Sequence, residues 1–126
     1  MTKEMMAEHP ESKMWEICSN DLNRVNGRTS FDAMRAGDEW GKKVVDEYIS
    51  YLACGITNII NIFEPEVLSI GGGVSNERDT LLKPLAELID KEVYTSLSDC
   101  VPKTRVCIAQ LRNDAGIIGA ALLGCG

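Results

Sequence analysis

Histidine is nearly missing from this chain: His9 is the only one in 126 residues. Five cysteines, Cys18, Cys54, Cys100, Cys107 and Cys125, are scattered with no CxxC pair among them. Zinc sites draw on clustered thiolates and imidazoles at short fixed spacings, so no metal site is expected. An odd number of dispersed cysteines also gives no disulfide framework. Mostly buried thiols in a reducing compartment are the expectation. Basic surface is scarce as well. Thirteen Lys and Arg stand against nineteen Asp and Glu, for a net charge of −6. The Lys42-Lys43 pair is followed one turn later by Asp46 and Glu47. A nucleic-acid partner needs a basic face, and none is offered. Long apolar runs are absent too. No stretch approaches the roughly 20 residues of a membrane span. The opening MTKEMMAEHPESK carries acids early and lacks the apolar core of a signal peptide. A cytoplasmic chain with no membrane partner is expected. There are no internal repeats and no low-complexity tract.

What is present reads as one compact globular domain, with 44% hydrophobic and 25% charged residues. A short helical turn over residues 3–8 stops at Pro10. From Glu11 to about Val25, apolar Met14, Ile17, Cys18, Leu22 and Val25 recur at three- and four-residue steps, which predicts one amphipathic helix ended by a turn at Asn26-Gly27. Ser30 is placed to cap a short helix through Gly37, and Asp38 to cap a long one. On that long helix Val44, Val45, Tyr48, Leu52, Ile56, Ile59, Ile60 and Phe63 share a face. Pro65 ends it. Gly55 within it costs roughly 1 kcal/mol against alanine, so close approach of a neighbour is expected there.

Glu66–Ile70 reads as a strand of buried type, followed by Gly71-Gly72-Gly73 and a helix start near Ser75-Asn76, with Asn76 and Asp79 as a capping pair. The next helix carries Leu81, Leu82, Leu85, Leu88, Ile89 and Val93, and Pro84 should kink or break it near Lys83. A second strand is predicted over Arg105–Ala109. A last helix follows Arg112-Asn113, with Asp114 as its cap and Gly116, Gly119, Ala120 and Leu123 on one stripe for close packing. Strands separated by helices predict parallel pairing and an α/β layer fold.

The strand–glycine–helix passage is the candidate site. Ligands of open α/β sheets sit beyond the carboxyl ends of strands. Residues without Cβ let the backbone approach a bulky group, and a helix start offers free N–H groups to a phosphate. The segment is neither a Walker A loop nor a dinucleotide fingerprint, since it lacks both spacings. Other candidates have plainer roles. Asp114 is read as a cap rather than a catalytic acid, Asn58 and Asn61 as partners of backbone groups, and Trp15 and Trp40 as packing residues rather than base-stacking ones. Met1, Met5, Met6 and Met14 mark either an apolar patch on a mobile segment or ordinary helix packing.

Three motifs carry a resemblance. Asn61-x-x-x-Pro65-Glu66 leading to Gly71-Gly72-Gly73-Val74-Ser75 resembles the N-x-x-x-P-E-x-x-x-x-G-G-G-V-S segment of the ROK family (repressors, open reading frames and kinases). Asp114-Ala115-Gly116-Ile117-Ile118-Gly119-Ala120-Ala121 resembles that family's D-A-G-x-x-G-A-A helix. Phe31 to Asp38 resembles its F-x-A-x-x-x-G-D lead-in. The likeness runs from about Ser30 to Gly124 and is strongest to bacterial glucokinases. It implies an α/β chain, the C-terminal half of an actin/hexokinase-like (ribonuclease H-like) ATPase fold, helix-rich with a small parallel sheet. Residues 1–28 would be an N-terminal helical segment and 29–126 the kinase-like domain.

It further implies ATP with magnesium as cofactor and a hexose as acceptor in the full-length protein, with Gly71, Gly72, Gly73 and Ser75 on the nucleotide side. The family's D-x-G-x-T phosphate loop, its N-D pair with the catalytic aspartate, its E-x-G-H sugar ligands and its cysteine-rich zinc motif have no counterparts here. No catalytic or metal residue is therefore assigned, and this chain alone is expected to be inactive. A homodimer is expected. Two alternatives remain at this stage: part of a ROK transcriptional repressor, or a non-catalytic self-associating module.

Overall fold

The computed structural model describes residues 1–94, 103–111 and 114–125. Cys100 and the Arg112-Asn113 pair lie outside them. Packing divides the chain into two compact units, Met1–Cys54 and Gly55–Gly126.

The first unit is helical: α1 (Thr2–Glu8), α2 (Met14–Ile17), a 3-10 turn (Leu22–Arg24), α3 (Thr29–Arg35) and the start of α4 (Glu39–Phe63). The single helix predicted over Glu11–Val25 does not form. α2 stops after one turn in a double hydrogen-bonded cap: Ser19 N–H donates to Glu16 O at 3.0 Å and Asn20 N–H to Trp15 O at 2.8 Å. Ser19 and Asn20 both take φ of 57°. Asp21 then accepts from Asn23 N–H and starts the 3-10 turn. Ser-Asn-Asp in succession satisfies backbone groups locally, which outweighs the apolar periodicity running across it. Ile17 and Leu22 accordingly remain exposed.

Asn26-Gly27 does form a turn, but through the Asn26 carboxamide accepting from Arg28 N–H; neither residue takes positive φ. α3 begins at Thr29, so Ser30 lies inside the helix, buried, rather than capping it. α3 ends in the same double cap, with Gly37 at φ 79° and Asp38 N–H bonded to Ala33 O. Asp38 at once starts α4 by accepting from Gly41 N–H at 2.8 Å. Its carboxylate also takes Ser12 Oγ–H at 2.8 Å and Lys13 N–H at 3.2 Å, and it is buried. Gly41 is required by close approach: a Cβ there would lie 2.6 Å from Ala33 Cβ and 3.0 Å from Met34 N. Met6, Met14, Cys18, Ala33 and Val44 form the core of this unit, with Trp15 and Trp40 against it. Both tryptophans pack as expected. Trp15 Nε1 donates to Met6 O at 2.9 Å, and Trp40 stacks on His9 with ring centroids 3.3 Å apart. Met6 and Met14 are packing residues, wholly buried.

Along α4 the buried hydrophobic side chains are Val44, Val45, Ile49, Ala53, Ile56 and Ile60, recurring mostly at the three- and four-residue steps of one helical face. Ile59 and Phe63, expected on that face, are 46% and 74% exposed; the end of the helix keeps Ile60 buried while leaving these two outside the covered side. Gly55 also departs from expectation. Nothing lies within 4 Å of where its Cβ would be. Glu64 leaves the helix with φ 46° directly before Pro65.

The second unit holds the end of α4, β1 (Val67–Ile70), a 3-10 turn (Gly73–Glu77), α5 (Asp79–Glu92), β2 (Arg105–Ile108), α6 (Ala115–Leu122) and a 3-10 turn (Leu123–Cys125). β1 and β2 pair in parallel, Val67 opposite Arg105 through Ile70 opposite Ile108, as the alternation of strands and helices predicts. Only Ile70 of β1 is buried. The strand is therefore not of the buried type expected, because a two-stranded sheet gives little cover. α5 runs as a single helix through Pro84. A proline removes one ladder bond, and the fully buried Leu81 and Leu85, with Ile89, hold the face around it. α6 has Asp114 at its N-cap position, but no side-chain bond is made. Gly116 and Gly119 have nothing within 4 Å of an added Cβ, so the small-residue stripe packs against no described residue.

Candidate functional site

The glycine turn leaves the carboxyl end of β1. Gly72, at φ 80° and ψ −171°, holds the conformation that side chains disfavour. The Ser75 hydroxyl donates to Gly72 O at 2.6 Å, and Ser75 N–H donates to the same oxygen at 3.2 Å. Ser75 is 1% exposed, so its proton is committed to closing the turn. The helix start expected at Ser75-Asn76 is a 3-10 turn over Gly73–Glu77, and α5 begins only at Asp79. Asn76 caps nothing. The reversal between them falls on Arg78, at φ 47° and ψ −121°.

A cleft of about 370 Å³ opens beside this turn, lined by Ser75, Arg78, Asp79, Leu82, Ile108, Ala109 and Gln110. It lies past the carboxyl end of β2, between that end and the start of α5, where ligands of parallel sheets sit. A Cβ on Gly71 would meet Ala109 Cβ at 3.9 Å, so the glycine turn borders the cleft wall. Leu82, Ile108 and Ala109 form an apolar side; Arg78, Asp79, Gln110 and Ser75 supply polar groups. Of the four residues singled out from sequence, Ser75 lines the cleft itself, while Gly71, Gly72 and Gly73 form the turn next to it. Ala109 was expected as the last residue of the second strand, and Gln110 was not singled out. Arg78 had no sequence signal. Among the described residues no group of three or more His, Cys, Asp or Glu is placed to hold a metal, and no helix is long and apolar enough to cross a membrane.

Comparison with known proteins places this geometry. A family model described as ROK family matches residues 8–125. The chain belongs to the ROK family. A glucokinase of Halalkalibacterium halodurans is 35% identical over 120 residues, 95% of this chain and 35% of the relative. A glucokinase of Thermotoga maritima is 35% identical over 98 residues, 78% of this chain and 30% of the relative. The chain thus spans about a third of the length of these relatives. A ROK family glucokinase from Streptomyces griseus, solved in complex with glucose and AMPPNP, matches with a TM-score of 0.80 at 25% identity, over 96% of this chain and 39% of that one. The fold is that of the ROK sugar kinases, the actin/hexokinase-like class, here helix-rich with a small parallel sheet.

Within this ROK chain the family-like residues have local physical roles. Phe31 is buried and meets Tyr48 edge-on, Ala33 abuts Gly41, and Asp38 caps α4. The Asn61 carboxamide accepts Tyr94 N–H at 3.1 Å, the backbone-satisfying role expected of it. Thr104 Oγ1 donates to Pro65 O at 2.6 Å, tying the entry of β2 to the entry of β1.

Proposed function

We propose that this chain is the nucleotide-side portion of an ATP-dependent, glucokinase-like sugar kinase, with residues 29–126 as its kinase-like domain. The observation that carries the reading is the cleft at the carboxyl ends of two parallel strands beside the Gly71-Gly72-Gly73 turn, in a chain whose solved relative holds AMPPNP. Gly71, Gly72 and Gly73 would let the phosphates approach the backbone, and Ser75 would hold the turn in shape. The apolar side formed by Leu82, Ile108 and Ala109 suits a base or ribose edge. Magnesium belongs to this proposal as the partner of the ATP phosphates, and a hexose as the acceptor.

Transfer of a γ-phosphoryl is mainly positioning and charge neutralisation, with a carboxylate taking the hydroxyl proton. Among the described residues Asp79 is the one carboxylate bordering the cleft, and no residue of the chain matches the family's catalytic aspartate, so no proton-transfer step is assigned. The glucokinase relatives favour the kinase reading over the repressor one. Self-association also belongs to the proposal, because α6 is apolar and exposed from Gly116 to Leu122.

An NMR titration of the labelled chain with ADP tests the reading. Saturable shifts are expected at residues 71–79 and 108–110, with millimolar affinity, about −4 kcal/mol, and Gly72→Val should abolish them. In the same preparation ATP and glucose should yield no glucose 6-phosphate. Shifts centred elsewhere would refute the site, and protein-dependent product would refute the inactivity of the isolated chain.

A further inference from the structure

Among the described residues the cleft has one cation on its rim, Arg78, and that cation is spare. The guanidinium of Arg78 makes no ion pair or hydrogen bond with any described residue. Its backbone is tied down at the same time: Arg78 N–H donates to Ser75 O at 3.3 Å, and Arg78 O accepts from Leu81 N–H at 3.1 Å and Leu82 N–H at 2.8 Å. The Cα is therefore fixed at the cleft while the long side chain is untethered. At φ 47° and ψ −121° glycine fits better than any side chain. Nothing in the local backbone calls for a charged residue at this position.

We infer that Arg78 is the anion-contacting residue of the cleft and that it takes the phosphates of a nucleoside diphosphate or triphosphate. This rests on the nucleotide reading above. With the nucleoside against Leu82, Ile108 and Ala109, the phosphates run toward the Gly72-Gly73 backbone, and Arg78 stands on that rim. A guanidinium presents a planar fork of donors that matches phosphate oxygens. Asp79 borders the same cleft and repels an anion, so the net attraction is modest and falls as salt rises. The phosphate specificity of the site is thereby placed on a residue outside the glycine motif.

The test titrates the 126-residue chain, native and as Arg78→Gly and Arg78→Lys, with ADP and separately with adenosine. Arg78→Gly suits the backbone, so its fold is secure; a thermal melt confirms it. ADP affinity should fall about fivefold in Arg78→Gly, the size of one exposed charge contact. It should fall less in Arg78→Lys, and adenosine affinity should stay unchanged. Equal ADP affinity in native and Arg78→Gly chains would overturn the assignment, as would a matching loss for adenosine. If the native chain shows no ADP shifts at residues 71–79, the nucleotide reading itself fails and this proposal with it.

Discussion

The two packing units differ in how completely they satisfy themselves. In Met1–Cys54 the polar ends of short helices are closed within the unit. Two double caps stop α2 and α3, and one carboxylate, Asp38, binds Ser12, Lys13 and Gly41 together. Its core of Met6, Met14, Cys18, Ala33 and Val44 is almost fully shielded. In Gly55–Gly126, Ile62, Phe63, Tyr94, Ile117 and Leu123 are each more than 70% exposed, and the sheet has two strands. Large apolar patches on stable monomers are uncommon and mark interaction surfaces. The first unit is built as a closed object; the second leaves large apolar side chains exposed.

Three substitutions probe that contrast. The largest effect is expected in the closed unit. Asp38→Ala removes the acceptor of three hydrogen bonds and leaves Ser12 buried without it, which should cost about 2–4 kcal/mol in urea denaturation. A loss below 1 kcal/mol would mean that this cluster is not what closes the unit. The next effect belongs to the open unit. Leu122→Glu places a charge on the exposed α6 and should weaken self-association at least about tenfold, or roughly 1.4 kcal/mol, read by light scattering across a concentration series. An unchanged association would move the covering surface elsewhere. The smallest effect tests the boundary. Gly55→Ala meets open space in mid-helix and should stabilise the chain by about 0.5–1 kcal/mol. Destabilisation would reveal a close neighbour at Gly55 beyond the described residues.

The sequence pattern located the long helix α4, its Asp38 cap, both strands, their parallel pairing and the glycine turn. Each of these is written in a local signal that nothing contradicts: a capping residue before a periodic run, a proline at the exit, glycines after a β-rich segment. Apolar periodicity alone misled at Glu11–Val25, where Ser19-Asn20-Asp21 offered the backbone better local partners than a helix would. Pro84 does not break α5 in two, since burial of Leu81, Leu85 and Ile89 outweighs one missing ladder bond. In the candidate site the glycines were visible because their backbone freedom is a property of residue type. Arg78 was not, because its position on the cleft rim depends on where the 3-10 turn ends and α5 begins. Phe63 and Ile59 could not be separated from the buried face, since a helix pattern says which residues align and not where the cover stops.

The pairing of β1 with β2 carries a consequence for how the chain is made. Residues 71–104 intervene between the partners, so neither strand can find the other through a short hairpin. During synthesis at about 5–20 residues per second, β1 waits roughly 2–7 s before β2 has been added. Closing a loop of that length is also an entropic step that precedes any reward from the strand contacts. Helix α5, whose backbone hydrogen bonds are local, can form in that interval. The Ser75–Gly72 bonds that close the glycine turn are local, whereas Ala109 can stand beside Gly71 only once the second strand has been added.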